Sequence, residues 1–237
     1  MQEFAVIIPA YKPTQDLVPY VDQLLQAGVP QVVVVNDGSP EDCQAIFDQV
    51  AERDRVDVLP HLINRGKGTA LKTAFDFELK HGQDYKGFVT ADADGQHTVK
   101  DVLNIGKALV DHPDVSFVLG KRDFDQDQVP FLSRLGNKTT TRLFDWLFGY
   151  WITDTQTGLR GINAKELLWL IDLPGSKFEY EMNMLIVMAK RELPYLEETI
   201  ETVYEEDRTT HYHPFRDSWR IAKVLIDGKR SGEDELI

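Results

Sequence analysis

The sequence predicts an α/β protein with a mostly parallel central sheet flanked by helices. Three observations lead to this prediction. The short apolar runs at residues 5–8 and 32–35 are continuous, which is typical of strands covered on both faces. Between them, apolar residues recur at helical spacing from Leu17 onward. The alternation of strand and helix continues to about residue 120, as expected for parallel strands joined by right-handed crossovers.

The remaining elements follow in chain order. Further strands are predicted at residues 56–59, 87–90 and 115–119, and further helices at residues 67–79 and 99–110. Ser39 is predicted to cap a helix that starts at residues 40–42. After residue 120 the prediction is a polar loop (121–128), an aromatic segment, a Gly/Thr turn (153–161), helices at 164–171 and 179–190, and a strand near 198–204.

Composition and charge limit the function classes. The chain has 237 residues, of which 42% are hydrophobic and 27% charged, so it can bury one substantial core. We predict one domain over residues 1–225, with a helical and aromatic second half, and a polar tail at 226–237. A net charge of -13 disfavours nucleic acid as a partner.

The same composition gives an expectation about location. Cys43 is the only cysteine, which favours a reducing compartment. The N-terminus does not resemble a signal peptide, and no run approaches the roughly 18 apolar residues of a spanning helix. We therefore expect a cytoplasmic protein, with a peripheral contact at the inner face of the membrane left open.

Four polar motifs fall where strands end or a helix begins. In open parallel sheets, ligands bind beyond the carboxyl ends of the strands. The motifs are Pro-Ala-Tyr-Lys at 9–12, Asn-Asp-Gly-Ser at 36–39, Asn-Arg-Gly-Lys-Gly at 64–68 and Asp-Ala-Asp-Gly-Gln-His at 92–97. Their positions at one edge of the sheet predict a cleft.

The acidic motif is the most informative of the four. Asp92 and Asp94 are two residues apart, so in extended backbone their carboxylates project to one side, and Gln96 continues the spacing. Hard cations such as Mg²⁺ or Mn²⁺ prefer such oxygen ligands together with substrate phosphates. The alternative is a strand-ending turn with a solvated face.

The other motifs carry weaker signals. The glycines and cations of 64–68 open a helix, whose N-terminus can hold an anion; the alternative is an exposed basic pair in a loop. The spacing is not that of a P-loop. Asp37 lies in a segment typical of turns, and it is also well placed to accept a hydrogen bond from a base N–H.

Taken in order, these motifs resemble glycosyltransferase family 2 with the GT-A fold, a Rossmann-like sheet. The polyprenyl-phosphate branch, which includes dolichyl-phosphate mannose synthases, is the most similar. The later segments Gly-Lys-Arg at 120–122, Asp-Thr-Gln-Thr-Gly-Leu-Arg-Gly at 154–161 and Phe-Glu-Tyr-Glu-Met-Asn-Met at 178–184 agree with it. The resemblance covers roughly residues 4–220.

The resemblance implies metal-dependent, inverting transfer of a sugar from a UDP- or GDP-sugar, with Mg²⁺ or Mn²⁺ as cofactor. Position by position it places Pro9, Tyr11 and Asp37 at the base and ribose, Lys67 near the nucleotide, and Asp92, Asp94 and Gln96 on the metal. It places Arg122 at the substrate phosphates and Arg160 near the acceptor side. Asp94 and Arg122 are the predicted catalytic residues, and Asp154 joins them, with Glu179 and Glu181 as other candidates, if a hydroxyl acceptor needs a base.

The acceptor stays open between a polyprenyl phosphate and a saccharide hydroxyl in cell-surface polysaccharide synthesis. Thr-Gln-Thr follows Asp154 where the family often has Pro-Thr-Ser. Two other function classes are a nucleotidyltransferase and a nucleotide-sugar-binding module. A nucleotidyltransferase is expected to carry a Gly-rich basic loop after its first strand, where this chain has Pro-Ala-Tyr-Lys-Pro.

The aromatic segment 131–151 has three interpretations. It carries Arg134, Lys138 and Arg142 among its aromatic residues, a pattern found in helices at a membrane interface. A core helix that packs on the sheet and a homodimer contact are the other two. His211, Tyr212 and His213 are not expected to bind a metal, since no carboxylate or cysteine is near them in sequence.

Overall fold

The computed structural model describes residues 2–123, 131–201 and 214–232. The strands are β1 (Phe4–Ala10), β2 (Val32–Asn36), β3 (Val56–Pro60), β4 (Gly87–Thr90), β5 (Phe117–Arg122), β6 (Arg160–Asn163) and β7 (Tyr195–Ile200). The helices are α1 (Leu17–Gln26), α2 (Gln44–Ala51), α3 (Lys67–His81), α4 (Val99–Asp111), α5 (Phe131–Phe148), α6 (Leu167–Asp172), α7 (Phe178–Lys190) and α8 (Pro214–Arg230).

The seven strands form one sheet in the order β3-β2-β1-β4-β6-β5-β7. The pairs β1–β2, β1–β4, β2–β3 and β5–β7 are parallel, and β6 runs antiparallel between β4 and β5. The predicted mostly parallel α/β sheet is therefore confirmed. The predicted strands at 5–8, 32–35, 56–59 and 87–90 lie within β1 to β4.

Both faces of the sheet are covered by helices. Successive strand residues point to opposite faces, so Ile7 packs with α3 and α7 while its neighbour Val6 packs with α1 and α4. The helices α3, α5, α6, α7 and α8 contribute to one core cluster, and α1, α2 and α4 contribute to the other. Burial on both faces is the reason that the first two strands read as continuous apolar runs.

The second half departs from the prediction in two strands. The turn predicted for 153–161 ends early, because Arg160 already begins β6. This four-residue strand has no apolar alternation, and its place is set by its two neighbours. A side chain at Gly161 would lie 3.0 Å from Ile105 of α4, so the helix rests almost on the backbone. The strand β7 begins at Tyr195, three residues before the predicted start.

The start of the second helix was also predicted wrongly. Ser39 does not cap it: a 3₁₀ turn occupies Glu41–Cys43, and α2 begins at Gln44. The Ser39 hydroxyl instead accepts a hydrogen bond from the backbone N–H of Lys12. Ser39 therefore joins two strand-ending loops rather than serving a helix.

The aromatic segment forms α5, which contacts α8 and α7. Phe144 is fully buried, as expected for a core helix, whereas Trp146 is 79% exposed. The side chains of 131–135, Arg134 among them, lie outside the described residues, as do residues 124–130, 202–213 and 233–237. The helix α8 continues five residues into the predicted tail, to Arg230. Within the described residues, no helix is long and apolar enough to cross a membrane.

One buried carboxyl group gives the fold a predicted pH dependence. Glu78 of α3 is 5% exposed, and neither of its side-chain oxygens has a hydrogen-bond partner among the described residues. Burial, and then the charge of Asp57, raise the pKa of Glu78 to about 7. The hydroxyl of Tyr85 is also buried and has no hydrogen-bond partner in the described part of the chain, and burial and the nearby Glu78 charge raise its pKa.

We expect the free energy of unfolding to fall as pH rises from about 4.5 to about 7. The unfolded chain releases the Glu78 proton near 4.5, whereas the folded protein holds it to about 7, so the loss is complete above pH 7. Glu78→Gln should remove this loss and unfold at higher urea concentration at pH 8, by on the order of 2–3 kcal/mol. The exposed Glu52→Gln is the matched control, and equal pH slopes for Glu78→Gln and the parent protein would contradict the prediction.

Candidate functional site

The structure brings the four polar motifs together. The backbone N–H of Lys12 donates to Ser39 Oγ at 3.0 Å, which joins the loops after β1 and β2. Asp37 binds the loop that leads into α3. Lys67 at the start of α3 reaches Asp92 after β4, with 2.7 Å between Nζ and Oδ1. The predicted cleft thus exists at the carboxyl ends of β1, β2 and β4.

Asp37 organises the loop in front of α3. Its buried carboxylate accepts hydrogen bonds from the N–H groups of Arg65 (2.9 Å) and Gly66 (2.8 Å), and His61 Nδ1 lies 2.7 Å from Oδ1. Gly66 has a φ of 93°, and a side chain there would lie 2.4 Å from the carbonyl oxygen of Ser176. His61 was not predicted, although its place directly after β3 was a signal. The predicted base contact of Asp37 stays a prediction.

Asp92 and Asp94 line one cavity of about 290 Å³, which we call the aspartate cavity. Pro9, Tyr11 and Lys12 form its other wall. Tyr11 is about half exposed, so its ring is available to a ligand in this space. The structure therefore groups the predicted metal carboxylates with two of the three residues predicted for the base and ribose.

Asp92 is an ionised carboxylate at neutral pH. Burial raises its pKa, but the Lys67 ammonium and His97, whose Nε2 lies 3.2 Å from Oδ2, together hold it far below the usual range. Asp94 Oδ1 accepts a hydrogen bond of 3.1 Å from the backbone N–H of Gln96, whose side chain is exposed. The turn thus keeps both carboxylates near the cavity.

This donor set fits a hard divalent cation. Two carboxylates, one of which has a lowered pKa, and a nearby carboxamide are ligands of the kind that Mg²⁺ and Mn²⁺ accept. In the part of the chain that the structure describes, no three His, Cys, Asp or Glu side chains are grouped to hold a metal ion. A cation here would complete its coordination with Gln96, water or substrate oxygens.

Lys67 joins three elements at the back of the site. Its Nζ lies 2.7 Å from Asp92 Oδ1 and 3.0 Å from Glu181 Oε1 of α7. Burial lowers the pKa of Lys67, but these two carboxylates raise it above its ordinary value. A side chain at Gly158 would lie 2.6 Å from Asp92 Oδ2 and 2.8 Å from Lys67 Nζ, so only glycine leaves room for this ion pair.

Arg122 and Asp154 form a second ion pair. Arg122 Nε and Nη2 donate to Asp154 at 2.7 and 3.0 Å, and the Asp154 carboxylate also accepts from the N–H of Gln156 at 3.1 Å. The Asp154 side chain is 0% exposed and that of Arg122 28%. This geometry orients the Arg122 guanidinium. The role of Asp154 as a base stays a prediction.

Arg122 lines a second and larger space, a cavity of about 410 Å³ that we call the basic cavity. Of the described residues around it, Lys121, Arg122, Lys138 and Arg142 are cationic and Asp123 is acidic. Trp151, which is 54% exposed, forms part of the wall. On a chain with a net charge of -13, this concentration of positive charge indicates an anionic ligand.

The polar groups of Arg160 and Glu179 make hydrogen bonds within the protein. Arg160 is 2% exposed and donates to the carbonyl oxygens of Thr157 (3.1 Å) and Glu181 (2.8 Å); burial lowers its pKa. Glu179 accepts hydrogen bonds from the N–H groups of Ser176 and Lys177 ahead of α7. The structure places Arg160 under the site, and its predicted contact with the acceptor stays a prediction.

Comparison with known proteins gives three findings. A family model described as glycosyl transferase family 2 matches residues 5–165. A UDP-N-acetylglucosamine–dolichyl-phosphate N-acetylglucosaminyltransferase of Methanococcus voltae is 27% identical over 218 residues, covering 85% of this chain and 86% of that protein. A polyprenol monophosphomannose synthase of Mycolicibacterium smegmatis is 32% identical over 179 residues, covering 73% of this chain and 65% of that protein.

A solved structure shares the fold. The glucosyl-3-phosphoglycerate synthase of Mycobacterium tuberculosis, in complex with Mn²⁺, uridine diphosphate and phosphoglyceric acid, superposes with a TM-score of 0.69. The match covers 98% of this chain and 80% of that one, at 14% sequence identity. This similarity concerns the arrangement of helices and strands, which is that of the GT-A glycosyltransferases.

Proposed function

This chain belongs to glycosyl transferase family 2 and is a glycosyltransferase, and we propose that it transfers a sugar from a UDP- or GDP-sugar to a polyprenyl phosphate. The observation that carries the proposal is the pairing of the aspartate cavity with the basic cavity. Asp154 holds Arg122 of the basic cavity, and a side chain at Gly158, four residues on, would meet Asp92 and Lys67. An extended chain of four residues spans at most about 14 Å, so the two cavities are neighbours. Family membership sets aside the nucleotidyltransferase and the binding module.

The donor half of the proposal rests on the aspartate cavity. Asp92, Asp94 and Gln96 would hold Mg²⁺ or Mn²⁺, which when bound supplies Lewis-acid stabilisation of the departing diphosphate. Pro9 and Tyr11 line the same cavity and would receive the nucleoside. Asp37 does not line this cavity, but its backbone N–H donates to the carbonyl oxygen of Ala10, the residue between them, at 2.8 Å. The solved synthase with the same fold holds Mn²⁺ and uridine diphosphate, which supports this kind of donor.

The acceptor half rests on the basic cavity and on the state of the candidate bases. A hydroxyl acceptor needs a group to remove its proton. Among the candidates, Asp154 is bound to Arg122, Glu179 to backbone N–H groups and Glu181 to Lys67. A phosphate acceptor is already ionised and needs no base, and the basic cavity matches its charge. The two relatives named above act on dolichyl phosphate and polyprenol monophosphate by their names, which supports the same class here.

The reaction then follows as a single displacement. A phosphate oxygen of the acceptor forms a bond to the anomeric carbon as the bond from that carbon to the diphosphate breaks, and the configuration inverts. Arg122, fixed by the bidentate contact to Asp154, would hold the acceptor phosphate in line with the donor. Asp92 is ionised before the cation binds, because Lys67 and His97 hold its pKa low.

We also propose that α5 rests on a membrane surface, where a lipid-linked acceptor is found. On α5, Trp146 is 79% exposed and Arg142 is exposed as well, and Trp151, three residues after the helix ends, is 54% exposed. Aromatic rings and cations of this kind favour the interface of an anionic bilayer. The basic cavity includes Arg142 and Trp151, so it would open toward the lipid headgroups.

A transfer assay tests the donor and the acceptor, and a vesicle flotation assay tests the membrane contact. Labelled UDP- and GDP-sugars are offered with Mn²⁺ and one of three acceptors: a polyprenyl phosphate, the uncharged polyprenol, or an oligosaccharide. We expect product from the polyprenyl phosphate alone, and co-flotation of the protein with anionic vesicles. Transfer to the oligosaccharide would overturn the acceptor assignment, no turnover of either donor would overturn the donor assignment, and a protein that stays at the bottom of the gradient would remove the membrane contact.

A further inference from the structure

The ammonium of Lys67 occupies the position between two carboxylates. Asp92, 2.7 Å away, lies after β4, and Glu181, 3.0 Å away, lies in the first turn of α7. The exposed fraction of the Glu181 side chain is 15% and that of Asp92 is 33%. Asp92 therefore faces the aspartate cavity, whereas Glu181 lies deeper.

A cation bound at Asp92 and Asp94 would meet Lys67 at the same carboxylate. One oxygen of Asp92 faces Lys67, and the other faces His97 at 3.2 Å. Two positive charges that share one carboxylate repel each other strongly when solvent access is limited. Lys67 and the divalent cation are thus competitors for Asp92.

Glu181 is a second counterion for Lys67, and it would remain if Lys67 left Asp92. A partly buried ammonium that lost its only counterion would be costly, but here the second carboxylate remains. Glu181 is fixed at its backbone, because its carbonyl oxygen accepts a hydrogen bond of 2.8 Å from the buried Arg160. Gly158 has no side chain at the point where Asp92 and Lys67 meet, since a Cβ there would lie 2.6 Å from Asp92 Oδ2 and 2.8 Å from Lys67 Nζ.

We propose that Lys67 exchanges partners when the divalent cation binds, leaving Asp92 and remaining on Glu181, so that Glu181 sets the metal affinity of the aspartate cavity. Glu181 is thereby a positioning residue that acts through Lys67. The inference rests on the metal site of the proposed function. Before the cation arrives, Lys67 neutralises Asp92 and holds α3, α7 and the loop after β4 in place.

The test is the binding of Mn²⁺ alone, without nucleotide sugar, measured by electron paramagnetic resonance on four proteins: the parent, Lys67→Met, Glu181→Gln and the double variant. Removing the competitor should tighten Mn²⁺ binding by about 5- to 10-fold, within the usual range of coupling between ligands. Glu181→Gln should weaken it by about 10-fold when Lys67 is present, and by less than about 3-fold in the Lys67→Met background.

This non-additivity separates the exchange from a simple effect of nearby charge, which would give the same change in both backgrounds. Lys80→Met, on the exposed face of α3, removes the same charge away from the site and should leave Mn²⁺ binding unchanged. Lys67→Gln, which keeps donors for both carboxylates, repeats the comparison with a smaller disturbance of packing.

The outcomes also separate this inference from the proposed function. Mn²⁺ binding that is absent from the parent, or equal in the parent and Asp94→Ala, would overturn the metal site and the exchange with it. Binding that is lost in Asp94→Ala, but is not tightened by Lys67→Met or responds additively, would overturn the exchange alone.

Discussion

Replacing Asp94 by alanine is expected to reduce metal-dependent sugar transfer by about 1,000-fold, since several kcal/mol of charge stabilisation at the departing diphosphate is lost with the cation. Asp92 and Asp94 are the carboxylates of the aspartate cavity. They are the only acidic residues in the turn at 92–97, so Asp94→Ala leaves Asp92 as the single carboxylate there. The measurement is the initial rate of transfer as a function of Mn²⁺ concentration.

The matched control is Asp111→Ala, which removes an exposed carboxylate from the end of α4. It should leave both the rate and the Mn²⁺ dependence as they are in the parent protein. If Asp94→Ala keeps the Mn²⁺ dependence of the parent, the metal is held elsewhere and the assignment of the site is wrong.

Replacing Arg122 by methionine is expected to destabilise the protein by about 3–5 kcal/mol, as is usual when one partner of a buried ion pair is removed. The Asp154 side chain is 0% exposed, so the variant leaves a buried carboxylate without its guanidinium. Urea unfolding at pH 7 measures the change.

Arg53→Met provides a control with the same chemistry in a different environment. Arg53 also makes a bidentate pair, with Asp22 at 2.8 and 2.9 Å, but the Asp22 side chain is 36% exposed whereas that of Asp154 is 0% exposed. An exposed pair contributes at most about 1 kcal/mol. A loss of stability in Arg122→Met no larger than that in Arg53→Met would contradict the view that Asp154 is a buried anchor.

The same pair distinguishes two roles for Asp154. If it positions Arg122, Asp154→Asn and Arg122→Lys should each lower transfer by roughly 100-fold, because a misplacement of about 1 Å has that effect. The pH dependence of the rate should then keep its shape. A lost limb in the pH profile of Asp154→Asn would instead identify it as a general base.

Most strands and helices in the first half of the chain could be predicted from local sequence patterns. The strands at 5–8 and 32–35 and the helix beginning at Lys67 were predicted close to their observed bounds, because their hydrophobic periodicity depends on neighbours only a few residues away. The four polar motifs were predicted to meet, because the carboxyl ends of parallel strands share one edge. The family resemblance, given for roughly residues 4–220, was confirmed by a family model that matches residues 5–165.

The elements of the second half were harder to predict, because they depend on partners that are far away in sequence. The strand β6 has four residues, Arg-Gly-Ile-Asn, and exists because β4 and β5 pair with it on both sides. The helix α2 starts at Gln44, after a 3₁₀ turn, and Ser39 accepts a hydrogen bond from Lys12 of another loop instead of capping the helix. No periodicity within either segment carries that information.

By itself the sequence determined the fold class and the family, and it predicted a cleft where the motifs that carry Asp37, Lys67, Asp92 and Asp94 meet. The tertiary structure decided what each charged group touches: Asp154 holds Arg122, Arg160 lies buried under α7, and Lys67 stands between Asp92 and Glu181. The physical reason is the distance along the chain over which each interaction acts. Propensity and periodicity act over a few residues, whereas the pairing of Lys67 with Glu181 joins α3 to α7 and is settled only when the core between them closes.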